Sequence, residues 1–207
     1  FQFMVEQDLA FASYIPYYFK KWIEQIDTNV LPLVSKRIIN NTCKILNFNY
    51  TDTLERAYKV PAENILYIHG KALSSKKLVV GHHDISTFQY GAVSPFNAAE
   101  EHGIYIQDDD EDFRITETKE IIKAYFQKTY KDTFGIIQMN QNFFDSLINI
   151  NEIFILGHSL SSVDMDYFVE IRKRVLHSCK WYISYFSESD LDNMEINHLH
   201  ECNTLFL

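Results

Sequence analysis

Glu152-Ile153-Phe154-Ile155-Leu156 runs directly into Gly157-His158-Ser159-Leu160-Ser161, and the apolar positions from Val163 to Leu176 then recur at helical spacing. Five residues are too few for a helix, and a run of four apolar side chains bounded by a glycine turn reads as a strand. The order is therefore strand, polar turn, helix. A strand that is apolar throughout, with no alternation, needs cover on both faces, which is the habit of parallel strands joined by helices.

The same pattern extends outward on both sides. Upstream, Lys44-Ile45-Leu46-Asn47-Phe48 reads as a strand that stops at Asn49-Tyr50-Thr51-Asp52, with helix from Thr53 to Tyr58. Ile65-Leu66-Tyr67-Ile68 is a second strand ending at His69-Gly70, and Lys77-Leu78-Val79-Val80 a third ending at Gly81-His82-His83. Downstream, Trp181 to Phe186 is a strand and Asp190 to His200 a helix. Near the start, Phe11, Ile15, Tyr18, Trp22, Ile23 and Ile26 form one stripe of an amphipathic helix, begun at Pro16. From Ile115 to Ile148 helical stripes dominate, with Ile121, Ile122, Tyr125 and Phe126 on one and Phe143, Phe144, Leu147 and Ile148 on another, broken near Gly135. Between about 84 and 114 no period is visible, and the segment carries the acidic run Asp108 to Asp112, an irregular excursion that reads as a solvated turn. The expectation is one α/β domain over residues 1–207, a three-layer sandwich with a mainly parallel sheet.

Composition narrows the function classes. At 207 residues, 46% hydrophobic and 23% charged, the chain has the make-up of an ordinary folded domain. A net charge of −9 disfavours broad attraction to nucleic acid or to an anionic membrane, and no apolar stretch approaches the roughly 18 residues of a membrane span. Cys43, Cys179 and Cys202 are odd in number and lack any CxxC spacing, so neither a disulfide framework nor a zinc knuckle is expected, and a reducing cytoplasm fits. The opening residue is Phe1, and the first segment reads like the interior of a longer protein.

Three strand ends carry the chemistry: Asn49-Tyr50-Thr51, His69-Gly70 and Gly157-His158-Ser159. In parallel sheets ligands sit beyond the carboxyl ends of the strands, so these groups converge on one crevice suited to a nucleotide. Gly157-His158-Ser159-Leu160-Ser161 also comes close to a Gly-x-Ser-x-Gly nucleophile elbow, which makes a serine hydrolase using Ser159 the rival enzyme. Ser161 replaces the second glycine, however, and the partners would have to come from Asp190, Asp192, His198 or His200. Ser161, Ser162 and Asp164 read more simply as caps of the following helix. His82-His83-Asp84 with His69 and His102 is metal-ligand chemistry, but adjacent histidines on a strand end point to opposite faces, so no metal is expected. His158 reads as a structural histidine, and His177, His198 and His200 as surface residues.

Phe48-Asn49-Tyr50-Thr51-Asp52-Thr53-Leu54-Glu55, Tyr67-Ile68-His69-Gly70, Leu78-Val79-Val80-Gly81-His82 and Ile155 to Asp164 occur in that order, and in combination they resemble the AbiH family of bacterial phage abortive-infection proteins. The resemblance runs from about Lys44 to the C-terminus, with the middle excursion unmatched. That family is in turn similar to the sirtuin-like, Rossmann-like fold that binds NAD. The resemblance implies Asn49 and His69 as catalytic residues, Asn49 holding the nicotinamide end and His69 acting as base. It implies Asn49, Tyr50, Thr51, Gly70, Gly157, His158 and Ser159 as the NAD-binding set. NAD hydrolysis to ADP-ribose and nicotinamide, a phage-derived activator and a homo-oligomer are the implied activity and partners. Two departures bear on this. Thr51 stands where the wider fold usually has Asp, and no glycine precedes Asn49, although AbiH-like chains are expected to begin with a strand, a glycine turn and a phosphate-cradling helix. A catalytically inactive nucleotide-sensing or interaction module in phage defence is therefore the alternative.

Overall fold

The computed structural model describes residues 14–31, 38–81 and 130–185, and the backbone of Asn203–Phe206. In chain order the elements are a helix over residues 14–23 (α1), β1 (Ile45–Asn47), α2 (Thr53–Arg56), a 3-10 turn (Ala62–Asn64), β2 (Ile65–Tyr67), α3 (Thr133–Met139), α4 (Gln141–Asp145), β3 (Glu152–Ile155), a 3-10 turn (Ser162–Asp164), α5 (Met165–Arg174), β4 (Lys180–Ile183) and β5 (Asn203–Phe206). Helices alternate with small parallel sheets, so the fold is α/β. The chain divides into two compact units, residues 1–19 with 80–131 and residues 20–79 with 132–207. In the first, the described residues include Tyr14, Tyr17 and Tyr18, whose rings pack against one another on the exposed side of α1. The acidic excursion falls in this unit but outside the described residues, as do His82, His83 and His102.

The second unit holds both sheets. β1 pairs with β2 in parallel, Ile45 opposite Ile65 and Asn47 opposite Tyr67. β3, β4 and β5 form a second parallel sheet in that order, Ile155 opposite Ile183 and Ile183 opposite Phe206. The core lies where α3, α4 and α5 cover this sheet, and Phe144, Leu160, Tyr167, Trp181 and Ile183 are almost completely buried in it. α5 reaches it with Met165, Phe168 and Ile171, three residues apart and so on one face, and it ends in Arg172-Lys173-Arg174, cations that suit the negative end of a helix dipole. Among the described residues no helix is long and apolar enough to cross a membrane.

Several elements differ from the expectation. Pro16 does not start α1, because the helix is already formed at residue 14. Lys77–Val80 forms no strand; one backbone bond, from the Val79 N–H to the His69 carbonyl at 2.8 Å, holds the segment beside the end of β2. The break between α3 and α4 lies at Asn140 instead of Gly135: Asn140 occupies the N-cap position of α4 without a side-chain capping bond, and its side-chain amide donates back to the Ile136 carbonyl at 2.7 Å. Gly135 sits in the first turn of α3, donating its N–H to the capping Asp132 carboxylate at 2.9 Å. β5 was not expected, and the helix expected over Asp190 to His200 lies outside the described residues.

Candidate functional site

β1 and β3 end on the same side of one cavity of about 860 Å³. At the carboxyl end of β1, Phe48 turns inward to the core and Asn49 turns outward, as alternation along an extended chain requires. The buried Asn47 side chain fixes this exit by accepting the Asn49 N–H at 3.0 Å. Thr51 follows, its hydroxyl 3.0 Å from that of Thr53 at the start of α2. Beyond β3, Gly157 adopts a left-handed backbone (φ +63°), and its N–H donates to the Ser184 hydroxyl at 3.0 Å, which ties the turn to the end of β4. Asn49, Thr51, Gly157, His158 and Ser159 all line the cavity.

Tyr50, His69 and Gly70 are placed elsewhere. The Tyr50 hydroxyl donates to the Val79 carbonyl at 2.9 Å, and burial followed by the nearby Asp164 raises its pKa. Gly70 takes φ +88° with the Lys77 carbonyl against the position a Cβ would occupy. His69 is buried, with Nε2 3.2 Å from Asp164 Oδ1. His158 Nε2 lies 3.6 Å from the other oxygen, Asp164 Oδ2. One carboxylate thus stands between two imidazoles. The Leu160 N–H donates to His158 Nδ1 at 2.9 Å, so a neutral His158 ring carries its proton on Nε2, facing the carboxylate. The Phe48 ring packs 4.4 Å from His158 and 5.5 Å from His69 between ring centroids, and stacks on Phe168.

Asp164 is the residue that a reading of the sequence misassigns. It occupies the N-cap position of α5 but makes no side-chain capping bond there, and Ser161 makes none at the 3-10 turn. Its carboxylate serves the two histidines instead. The available signal was a carboxylate six residues after a histidine that lies just past an apolar strand. Tyr167 was also missed: it is fully buried beside His69, and its hydroxyl has no hydrogen-bond partner among the described residues. Burial, then Asp164, Asp166 and Asp132, hold that phenol strongly protonated.

The turn does not have the strain of a nucleophile elbow, which falls on the nucleophile itself. Here the left-handed residues are Gly157 and the buried Leu160 (φ +53°), and Ser159 between them is not one of them. Asp190, Asp192, His198 and His200 lie outside the described residues. Among the described residues no group of three or more His, Cys, Asp or Glu is placed to hold a metal ion; Cys43 is partly buried and Cys179 buried.

No curated protein and no solved structure matches the chain. The family model for bacteriophage abortive infection AbiH matches residues 4–185, most of the chain, and the chain belongs to that family.

Proposed function

We propose that this domain serves phage abortive infection by binding NAD at the carboxyl ends of β1 and β3, within a sirtuin-like, three-layer arrangement of its sheets. The observation that carries this reading is the shared cavity: an amide, two hydroxyls, an imidazole and a left-handed glycine from two separate strand ends line one space. Asn49 offers both a donor and an acceptor to the nicotinamide carboxamide. Thr51 and Ser159 offer hydroxyls to ribose, and Gly157 keeps the approach free of a side chain, with nothing within 4 Å of its would-be Cβ.

Hydrolysis is the activity proposed for this site. The bond between ribose C1′ and the pyridinium nitrogen breaks, nicotinamide leaves neutral, and water adds at C1′ after giving its proton to a base. His69 paired to Asp164 is a base arrangement familiar in proton transfer. The alternative, a nucleotide sensor without catalysis, is favoured by one observation: His69 is buried and is not among the residues lining the cavity.

The test measures nicotinamide release and thermal protection by NAD for the protein, His69→Ala and Asn49→Ala, with and without phage lysate. NAD at about a hundred times its dissociation constant adds about 2.7 kcal/mol, which for a domain of this size is a shift of roughly 5–10 °C. Asn49→Ala is expected to lose that shift. Release that disappears in both variants supports hydrolysis with His69 as base. Protection without release supports the sensor, and absence of both overturns the nucleotide reading.

A further inference from the structure

The turn that carries Gly157 and Ser159 to the cavity is anchored at its ends and strained between them. At one end the Ser184 hydroxyl accepts the Gly157 N–H at 3.0 Å and donates to the Ile155 carbonyl at 3.2 Å. At the other, Ser162–Asp164 forms the 3-10 turn that leads into α5. Between them Leu160 adopts φ +53° with its side chain almost completely buried in the core. A left-handed backbone disfavours any residue with a Cβ, so a leucine keeps it only where its surroundings hold it. The core holds the side chain, and His158 holds the backbone: its Nδ1 accepts the Leu160 N–H at 2.9 Å. That bond spans two residues, as when an asparagine side chain closes a turn on its own backbone.

The other ring nitrogen is committed as well. Nε2 faces Asp164 Oδ2 at 3.6 Å, a charged contact longer than a hydrogen bond, while Oδ1 of the same carboxylate meets His69. Phe48 and Phe168 pack steeply tilted to the ring, their centroids 4.4 and 5.0 Å from its own. A neutral imidazole has one lone pair and one N–H. Leu160 takes the first and Asp164 faces the second, so His158 has neither a base nor a donor to turn toward a ligand, although it lines the cavity.

We propose that His158 is a positioning residue of the cavity: its Nδ1 holds the Leu160 backbone, and with it the turn that presents Gly157 and Ser159 to a bound nucleotide, while its imidazole makes no bond to that nucleotide. The inference rests on the nucleotide reading for its ligand, and on the geometry of the turn alone for the hold itself. It separates the roles of the two histidines that share Asp164, since His69 keeps the chemical role proposed above and His158 acts through Leu160. A turn already formed costs a ligand nothing to order, whereas one formed a tenth of the time weakens binding about tenfold.

Two variants separate the ring from its nitrogen. His158→Asn removes the ring but keeps an acceptor two residues before Leu160, whereas His158→Phe keeps ring contacts with Phe48 and Phe168 but has no acceptor. Both are compared with the parent protein by hydrogen–deuterium exchange at the Leu160 amide, with Ile155 and Ile183 as references in the core, and by calorimetry of NAD binding. Leu160 is expected to exchange at least about a hundredfold more slowly than an unstructured chain in the parent and in His158→Asn, and within about threefold of that chain in His158→Phe, with Ile155 and Ile183 slow in all three. NAD is expected to bind His158→Asn within about threefold of the parent and His158→Phe at least about tenfold more weakly. A protected Leu160 amide in His158→Phe overturns the proposal, as does a neutral His158 ring with its proton on Nδ1 by nitrogen-15 NMR of the parent. Equal loss of NAD affinity in both variants shows that the ring itself meets the ligand, and overturns it too. A parent that does not bind NAD defeats the nucleotide reading instead, and the Leu160 amide then decides alone whether His158 holds the turn.

Discussion

Asp164 shows how one carboxylate is drawn from a local role to a tertiary one. Its position at the start of α5 suits capping, worth about 1 kcal/mol, yet its oxygens lie at 3.2 and 3.6 Å from His69 and His158. The environment explains the choice. Phe48, Tyr167 and Phe168 surround the two rings, and polar groups inside such a shell are costly unless they meet one another. Sequence reasoning finds His69 and His158 because each follows a strand, but nothing local says they share a partner ninety-odd residues from one and six from the other. Asp164→Asn is expected to destabilise the fold by about 1–3 kcal/mol, as loss of a largely buried carboxylate's polar contacts does. Combined with His69→Ala it should cost clearly less than the sum of the two, because both remove the same contact. Urea unfolding of the two single variants and the double variant checks this, and strict additivity would mean that the pair is not energetically linked.

At the level of elements, what was legible in the sequence followed burial. β1, β2, β3, β4 and α5 all appear close to where their apolar runs lie, because the core selects those runs. Lys77–Val80 has the same composition but no ladder, and composition alone does not distinguish a paired strand from an extended segment resting on the sheet. Gly135 reads as a helix break because glycine usually is one, whereas its reason here is steric. A Cβ at that position would collide with the Asp132 carboxylate that caps α3. Alanine ordinarily gains up to about 1 kcal/mol over glycine in a helix, but Gly135→Ala should yield almost nothing because it displaces a cap of similar worth. In an Asp132→Ala background the same change should stabilise by about 1 kcal/mol. Equal effects in the two backgrounds, by urea unfolding, would show that the cap and the glycine act independently.

On the scale of the molecule, the convergence of Asn49 and Gly157–Ser159 was legible because parallel strands carry their ends to one side, whereas the separation of His69 from the cavity was not, because it depends on which way a side chain turns at the end of β2. The same burial governs how the whole fold responds to pH. Asp52 is buried, which works to raise its pKa, but the Thr28 hydroxyl at 2.7 Å, the Arg56 guanidinium at 2.7 Å and Lys71 outweigh burial and hold it below the usual carboxylate range. Glu170 is lowered in the same manner by Arg174 and Lys173 against burial. A carboxyl with a lower pKa folded than unfolded binds fewer protons in the native state, so its stability is complete above about pH 5 and disappears as pH falls through the folded value. Tyr167 has the opposite sense: burial raises its pKa, so its contribution is complete below about pH 9 and is lost as pH rises through the alkaline range. Stability should therefore fall at both ends. Asp52→Asn should cost about 1.5–3 kcal/mol at neutral pH, and its gap from the parent protein should narrow from about pH 5 to pH 2. Tyr167→Phe, which removes a phenol that burial holds protonated, should gain on the parent from about pH 9 to pH 11. Urea midpoints across pH decide both, and gaps that stay constant over those intervals would show that neither group titrates with unfolding.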